Sequence, residues 1–102
     1  MRSKDTSLQA WEELHDELSR GRPPPKFPPG FPGLRLEKRK TPVEGGGGLR
    51  KRWRDEDGNI YEWDSRHGTV EKFDKRGRHR GELDPETGEQ IKPRVPERKV
   101  EP

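Results

Sequence analysis

The chain has 102 residues, of which 42% are charged and 22% are hydrophobic, and it contains no cysteine. A chain of this length and polarity can bury only one small core, and without cysteine it builds neither a disulfide framework nor a thiolate metal site. It also holds no apolar run long enough for a membrane-spanning helix or a signal peptide. If it acts outside the cell that produces it, we expect something other than its own signal peptide to carry it there.

The net charge of +3 conceals an uneven distribution of charge along the chain. Residues 1–21 carry three basic and five acidic side chains, a balance of −2. Residues 22–54 carry ten basic and two acidic side chains, or +8, and residues 55–102 carry ten and thirteen, or −3. The basic arm at 22–54 favours an anionic partner.

Residues 1–21 are predicted to contain a short N-terminal helix. Its apolar residues recur at helical spacing and form a narrow stripe: Leu8, Trp11, Leu14 and Leu18. Gly21 is a suitable residue to end the helix. Such a stripe packs against its own domain, continues a longer helix or docks a partner, and the sequence leaves these three alternatives open.

Residues 22–48 are predicted to be an extended, basic linker rich in proline and glycine. The run Arg22–Gly33 holds six prolines, which fix φ and remove backbone donors, so we expect a stiff spacer or a ligand for a proline-recognising domain. A short strand is expected within Leu34–Lys40, and Glu44–Gly48 is expected to be a flexible joint without the features of a P-loop. We expect the helix and the proline spacer to be dispensable for activity.

Residues 49–102 are predicted to form the folded domain. Short strand-like segments alternate there with turn signals such as Asp57-Gly58, a pattern typical of an antiparallel meander. The predicted strands are Arg50–Arg54, Asn59–Ser65, Val70–Asp74, His79–Leu83 and Glu89–Lys92. The predicted fold class is therefore mainly β: a small, highly twisted antiparallel sheet with a short N-terminal helix and an extended linker.

The expected core consists of eight apolar residues of this domain: Trp53, Ile60, Tyr61, Trp63, Val70, Phe73, Leu83 and Ile91. The three histidines, His15, His67 and His79, are scattered, so we expect no metal site and no cofactor. The tail 93–102 is expected to be pinned to the sheet without forming an element of its own.

The segment Tyr61–Glu71 combines aromatic residues, carboxylates and a histidine within the length of one hairpin. We interpret it as two strands joined by a two-residue loop at His67-Gly68, because glycine at the second loop position suits a positive φ. In this register Asp64 lies directly opposite Glu71, with Cβ atoms about 4.5–5.5 Å apart. Two close carboxylates raise each other's proton affinity, and histidine titrates near neutral pH. The pattern indicates a general acid/base cluster.

Other interpretations stay open at this point. Acidic residues and histidine are common at exposed hairpin tips, and a longer loop would move Asp64 and Glu71 to different faces of the sheet. The basic arm with Trp53 or Tyr61 also suits a non-catalytic RNA-binding module. A protein-interaction domain that binds the proline segment is a further alternative.

Several parts of the sequence together resemble a known family. They are Lys51-Arg52-Trp53, the run Ile60–Gly68 (IYEWDSRHG), Glu71, the run Gly81–Gly88 (GELDPETG) and the run Pro96–Lys99 (PERK). This combination is similar to the cytotoxic domain of the ribosome-inactivating ribonuclease colicins and cloacin. The resemblance covers residues 41–102, whereas the helix and the proline spacer match poorly. The chain looks like a cassette from a bacteriocin, a contact-dependent toxin or another polymorphic toxin.

The resemblance implies a metal-independent endoribonuclease on a twisted antiparallel sheet. It implies that the enzyme cuts small-subunit ribosomal RNA once, at the decoding A site. It also implies catalytic roles for Asp64, His67 and Glu71 and a phosphate contact for Arg98.

The resemblance and the composition together suggest where substrate binds. Tyr61 and Glu62 match positions that line the family's site, and we expect Lys51, Arg52 and Trp53 to contact the RNA. The chain departs from the family's pattern at residues 69–70, 72–73 and 100–102, which affects the RNA-facing surface more than the catalytic residues.

RNA carries its own nucleophile, the 2′-OH, so cleavage needs a base, an acid for the 5′-oxygen and a cation near the phosphorane. We expect Glu71 to be the base, His67 the acid and Arg98 the cation, with Asp64 orienting His67. Because coupled groups titrate as a unit, the assignment of base and acid between Glu71 and His67 stays open. A 2′,3′-cyclic phosphate and a 5′-OH would result.

The expected partners are the RNA of the small ribosomal subunit and a cognate acidic immunity protein that occupies the basic arm. We expect the chain to be secreted or delivered by the producer cell and to act in the cytoplasm of the target bacterium.

Overall fold

The computed structural model describes residues 21–102, and they form one six-stranded antiparallel sheet whose spatial order follows the order of the chain. The strands are β1 (Arg35–Glu37), β2 (Arg52–Arg54), β3 (Ile60–Asp64), β4 (Thr69–Phe73), β5 (His79–Leu83) and β6 (Gln90–Lys92). The predicted antiparallel meander is confirmed. The predicted N-terminal helix lies outside the described residues. Within 21–102 there is no helix with the length and apolarity that crossing a membrane requires.

Four aspartates organise the turns between strands β2 to β6. Each accepts a hydrogen bond from the backbone N–H two residues further along the chain, at 2.8–3.0 Å: Asp55, Asp64, Asp74 and Asp84. A glycine with positive φ ends each turn: Gly58, Gly68, Gly77 and Gly88. Because the local acceptor and the permissive glycine recur together, each strand is reversed within a few residues.

One face of the sheet carries the apolar core. Its buried cluster consists of Leu34, Trp53, Tyr61, Trp63, Val70 and Leu83, with Phe31 packed against it. Seven of the eight predicted core residues are buried, whereas Ile91 is 48% exposed because it lies on the three-residue edge strand β6. Leu34 is buried although the sequence did not indicate it.

The proline-rich segment Arg22–Gly33 covers this apolar face. Trp53 Nε1 donates a hydrogen bond to the carbonyl of Lys26 at 3.1 Å, and Trp63 Nε1 donates to the carbonyl of Arg22 at 2.7 Å. Both indoles are therefore buried with a satisfied N–H, which an extended chain with free carbonyls provides.

This packing gives the proline segment a structural role that a simple spacer would not have, while its dispensability for activity stays a prediction. Pro28 is buried in the interface, the rings of Phe31 and Tyr61 lie 5.2 Å apart, and strand β1 falls inside the predicted linker. The domain limits stay a prediction, but the contacts favour residues 22–102 as one folded unit.

The opposite face of the sheet carries a row of ionisable residues. Strand register places six of them directly opposite one another from β1 to β6: Glu37, Arg52, Glu62, Glu71, Glu82 and Lys92. Paired residues share a face, so this row crosses the whole sheet. Its three adjacent carboxylates, Glu62, Glu71 and Glu82, are all buried. Buried charges need partners, and the partners of these carboxylates define the site.

Candidate active site

The hairpin that joins β3 and β4 has a four-residue loop, Ser65–Gly68. Asp64 pairs with Thr69, and Glu62 pairs with Glu71, so the prediction that Asp64 lies directly opposite Glu71 is wrong. The register differs from the predicted one by two residues, and side chains alternate with a period of two. Asp64 and Glu71 therefore still share a face, and the expectation that a longer loop would separate them is also wrong.

Asp64 shapes the loop and orients His67. Its Oδ1 accepts hydrogen bonds from the backbone N–H groups of Arg66 and His67, at 3.0 and 3.2 Å, and its Oδ2 lies 2.8 Å from Nδ1 of the His67 ring. Burial acts to raise the pKa of Asp64, but the hydrogen bonds from His67 outweigh it and hold this pKa below its ordinary value. An ionised Asp64 assigns the proton to Nδ1 of His67 and leaves Nε2 for a substrate.

Glu71 lies at the centre of the site and is 1% exposed. Its Oε1 lies 2.7 Å from Nε2 of His79 and 3.3 Å from Nη1 of Arg98. Burial raises the pKa of Glu71 above its ordinary value, against the lowering effect of His79 and Arg98 and with an added rise from the charge of Glu82. The pKa of Glu71 is therefore raised, as the sequence predicted. The neighbouring carboxylate that contributes to the rise is Glu82, however, and not Asp64.

His79 is a site residue that the sequence did not reveal. Its Nδ1 accepts a hydrogen bond from the backbone N–H of Val95 at 2.8 Å, so the ring proton lies on Nε2 and is donated to Glu71. In an uninterrupted strand, His79 and Glu82 would point to opposite faces. A bulge opposite Lys72 and Phe73 shifts the register, so that His79 pairs with Phe73 and joins Glu71 on the same face.

Arg98 enters the site from the C-terminal tail. The backbone carbonyl of Arg98 accepts a hydrogen bond from the N–H of His79 at 3.1 Å, and the N–H of Val100 donates to the carbonyl of Gly77 at 2.8 Å. The tail is thus pinned to the start of β5, as expected. The Arg98 side chain is 40% exposed, so its guanidinium contacts Glu71 and still faces solvent.

These groups line a cleft of about 350 Å³ that contains all four predicted catalytic residues, Asp64, His67, Glu71 and Arg98. The other lining residues are Glu44, Arg50, Arg66, His79, Glu82, Lys92, Pro93 and Val95. This volume lies at the lower end of the range of volumes found for ligand-binding pockets, and four basic side chains line the cleft. The cleft thus combines a carboxylate with a raised pKa, an oriented imidazole and a guanidinium.

None of the five predicted substrate-binding residues lines this cleft. Arg52 and Glu62 are both 0% exposed and form a buried ion pair with a distance of 2.6 Å. Trp53 is buried in the core, and Tyr61 is buried with its hydroxyl donating to Asp55 at 2.8 Å. Lys51 donates to the carbonyl of Pro25 at 2.7 Å. In the folded chain these side chains stabilise the sheet: Arg52 and Glu62 on the face that carries the site, and Trp53 and Tyr61 on the apolar face.

Arg22, at the start of the proline segment, holds the loop that carries His67. Its backbone N–H donates to the carbonyl of Ser65 at 2.7 Å, and its guanidinium Nη1 donates to the carbonyl of His67 at 2.7 Å. The proline segment therefore reaches from the apolar face to the loop that carries His67.

Arg22→Ala is expected to reduce catalysis because the backbone of His67 loses one of these restraints. We expect kcat to fall about 3- to 10-fold, the scale of one lost hydrogen bond, with KM little changed. Steady-state kinetics on ribosomes measure both constants. Lys26→Ala is the matched control, because it removes a positive charge from the same segment without touching the loop. An equal loss in both variants would contradict a positioning role for Arg22.

The sheet and the cleft together define a class: small antiparallel β domains that carry an acid/base site on one face and a proline-rich cover on the other. Comparison with known proteins then gives the family. The family model described as Cytotoxic matches residues 22–101. The chain belongs to the family of colicin-type cytotoxic ribonuclease domains, which confirms the resemblance seen in the sequence.

Three bacteriocins of Escherichia coli are similar to the chain. Cloacin is 47% identical over 73 residues, which are 70% of this chain and 13% of cloacin. Colicin E3 is 49% identical over 63 residues, or 60% of this chain and 11% of the relative. Colicin-E6 is 45% identical over 73 residues, or 70% and 13%. The chain thus spans about an eighth of the length of these relatives.

Proposed function

We propose that this chain is a bacterial toxin endoribonuclease that cleaves small-subunit ribosomal RNA at the decoding A site and so inactivates ribosomes. One observation carries the proposal. On a chain of the colicin-type cytotoxic family, Glu71, His67 and Arg98 line a single cleft, where burial raises the pKa of Glu71 and Asp64 orients His67.

The proposed reaction uses groups that the cleft already holds. Glu71 accepts the proton of the RNA 2′-OH, whose oxygen attacks the adjacent phosphorus while the bond from phosphorus to the 5′-oxygen breaks. His67 donates a proton to that leaving oxygen, and Arg98 stabilises the charge on the phosphorane. The products are a 2′,3′-cyclic phosphate and a 5′-OH, and no metal ion takes part.

His79 and Asp64 act on this chemistry through their neighbours. His79 is neutral when Nδ1 accepts from Val95, so it orients Glu71 by donating one hydrogen bond without adding a full charge. Burial outweighs the lowering effect that His79 has on the pKa of Glu71, so Glu71 keeps a raised proton affinity.

The structure changes which residues we propose for RNA binding. Arg50, Arg66 and Lys92 line the cleft and carry the charge that a phosphate backbone requires. Of the residues expected from the sequence, Lys51 is partly exposed and keeps a long-range electrostatic role in the basic arm. We propose that the other four stabilise the fold and do not contact RNA: Arg52, Trp53, Tyr61 and Glu62.

The remaining expectations are proposals about the whole toxin. A larger delivery protein upstream is proposed because the relatives are about eight times as long as the matched region. A cognate acidic immunity protein is proposed because residues 22–54 carry ten basic and two acidic side chains. The toxin would be secreted or delivered by the producer and would act in the cytoplasm of the target bacterium.

Primer extension on small-subunit RNA, after the protein is added to intact ribosomes, tests the proposal. The wild-type chain is expected to produce one stop at the decoding A site, and the stop should persist in a metal chelator. His67→Ala is expected to slow its appearance by about 10²-fold, the usual scale for the loss of an acid/base group.

His15→Ala is the matched control, since it removes a histidine from outside the described residues, and it should cut at the wild-type rate. Wild-type protein that binds ribosomes but produces no stop would contradict the proposal and favour the non-catalytic RNA-binding module.

A further inference from the structure

Glu82 is a buried carboxylate in the cleft that the proposed mechanism does not use. It lies directly opposite Glu71 in strand register and is 6% exposed. Its Oε2 accepts a hydrogen bond from the Thr69 hydroxyl at 3.0 Å. The nearest cation to Oε1 is Lys92, whose Nζ is 3.9 Å away, beyond hydrogen-bond distance. Among residues 21–102, no donor is hydrogen-bonded to Oε1, so this oxygen faces the cleft without a close partner.

Glu82 also belongs to a candidate ligand set for a metal ion. One carboxylate oxygen each from Asp64 and Glu82 and one ring nitrogen from His67 lie within 4.8 Å of one another. Metal bonds of about 2 Å to zinc require ligand atoms within roughly 3–4 Å of one another, so the three side chains must move closer when the ion binds. The His67 side chain is 51% exposed and has room to turn, although its ring must then adjust its hydrogen bond with Asp64. One imidazole and two carboxylates suit a borderline-soft dication such as Zn²⁺ better than Mg²⁺, which prefers oxygen ligands alone.

Carboxylates in the cleft offset the charge of an added cation, and Arg50, Arg66 and Arg98 line the same cleft. Glu71 borders Glu82 on the neighbouring strand, so a third carboxylate faces the same space. Lys92 is the cation closest to Glu82, but its side chain is 60% exposed and can turn to solvent when an ion enters. His79 is excluded as a ligand because both of its ring nitrogens are engaged, by Glu71 and by the N–H of Val95.

We propose that Asp64, His67 and Glu82 form a site for a transition-metal dication of the zinc type, and that the ion blocks the acid/base cluster when it is bound. The ion takes the lone pair of one His67 nitrogen and the oxygen of Asp64 that orients the ring. A metal-coordinated imidazole is neutral and keeps one N–H on its other ring nitrogen. It therefore cannot form the imidazolium that serves as the acid, and Asp64 no longer orients the ring. The binding part stands on the geometry alone, whereas the blocking part rests on the proposed ribonuclease function.

Isothermal titration of ZnCl₂ into the purified chain tests the binding part. The experiment uses His15→Ala as the background, because His15 stands among acidic residues outside the described region and offers a competing ligand. We expect one Zn²⁺ per chain, with an affinity that Glu82→Gln weakens by about tenfold or more. Glu89→Gln is the matched control, since Glu89 is exposed in the turn before β6, and it should bind like the background.

Two outcomes of the titration would overturn the site: no binding of Zn²⁺, or binding that Glu82→Gln leaves unchanged. Circular dichroism checks that the variants are folded, and the NMR signals of the His67 ring provide a second readout. These signals should shift on addition of Zn²⁺ in the background protein, and folded Glu82→Gln should need about tenfold more Zn²⁺ for the same shift. Excess MgCl₂ should not reverse the shift.

Ribosome cleavage with and without Zn²⁺ tests the blocking part. Zinc should suppress the primer-extension stop, the chelator should restore it, and folded Glu82→Gln should need about tenfold more zinc for the same suppression. If zinc binds but does not suppress the primer-extension stop, the blocking role would be wrong and the metal site itself would still be supported. A metal-free chain that never cleaves would instead contradict the proposed ribonuclease function, and the titration would still decide the site.

Discussion

Glu71→Gln is expected to abolish cleavage of intact ribosomes while ribosome binding survives. Glutamine has the size of glutamate and can still accept the hydrogen bond from His79 that is 2.7 Å long in the wild-type chain. It cannot take a proton from the 2′-OH, however, so the rate should fall by about 10²- to 10⁴-fold, the range for a lost general base. Single-turnover primer extension with saturating protein measures this loss separately from binding.

The same variant tests the charge that Glu71 carries in the fold. Because burial raises the folded-state pKa of Glu71 above its unfolded value, the contribution of this group to stability is fully present below the unfolded pKa. That contribution is lost as the pH rises through the folded-state pKa. At neutral pH the charged side chain therefore costs stability, and Glu71→Gln should unfold at a temperature no lower than the wild type.

The pH dependence of cleavage follows from the same shift. If Glu71 is the base, the rate should rise with pH through a pKa above the ordinary value for glutamate, and the variant should lose this limb of the profile. Glu86→Gln is a suitable control because Glu86 is exposed in the turn after β5. Cleavage by folded Glu71→Gln at the wild-type rate would reject the assignment and favour the non-catalytic RNA-binding module.

Much of the sheet could be predicted from the sequence because its turns are encoded locally. An aspartate at the end of a strand and a glycine a few residues later determine where each reversal falls, and β5 has the predicted limits His79–Leu83. Loop length within a reversal is less well encoded. The hairpin at Ser65–Gly68 takes four residues because the side chain of Asp64 accepts the backbone N–H groups of the loop, an interaction that spacing alone does not reveal.

The candidate site could be predicted only in part for a related reason. Asp64, His67 and Glu71 stand close together in sequence, so any hairpin that keeps them on one face brings them together. His79 reaches the same face only through the bulge in β5, which reverses the alternation on which a sequence pattern depends. The motif at Lys51-Arg52-Trp53 suggested an RNA-binding surface. Basic and aromatic residues occur on such surfaces, but they also occur in buried interactions that stabilise a sheet, and composition alone does not distinguish the two.

Arg52→Ala tests that last distinction, because its expected effect is on stability and not on RNA binding. Arg52 is 0% exposed, and its Nε and Nη2 donate to Oε2 of Glu62 at 2.9 and 2.6 Å. The Thr41 hydroxyl donates to the same oxygen at 2.6 Å. Removing Arg52 leaves the Glu62 carboxylate buried without its cation and next to Glu71 in strand register. Breaking a buried pair in this way costs about 3–5 kcal/mol, a large share of the stability of a small domain.

The contrast with neighbouring variants makes the Arg52 experiment decisive. Arg52→Met combined with Glu62→Gln removes both charges, so denaturant unfolding should show that much of the lost free energy of unfolding returns. Lys51→Ala removes an adjacent positive charge that is only partly buried, and it should change the free energy of unfolding by less than about 1 kcal/mol. If Arg52→Ala instead kept the wild-type stability and weakened ribosome binding with a smaller salt dependence, Arg52 would be a phosphate contact. The buried ion pair predicts the first result, because a guanidinium with no exposed surface reaches a phosphate only after the sheet has opened.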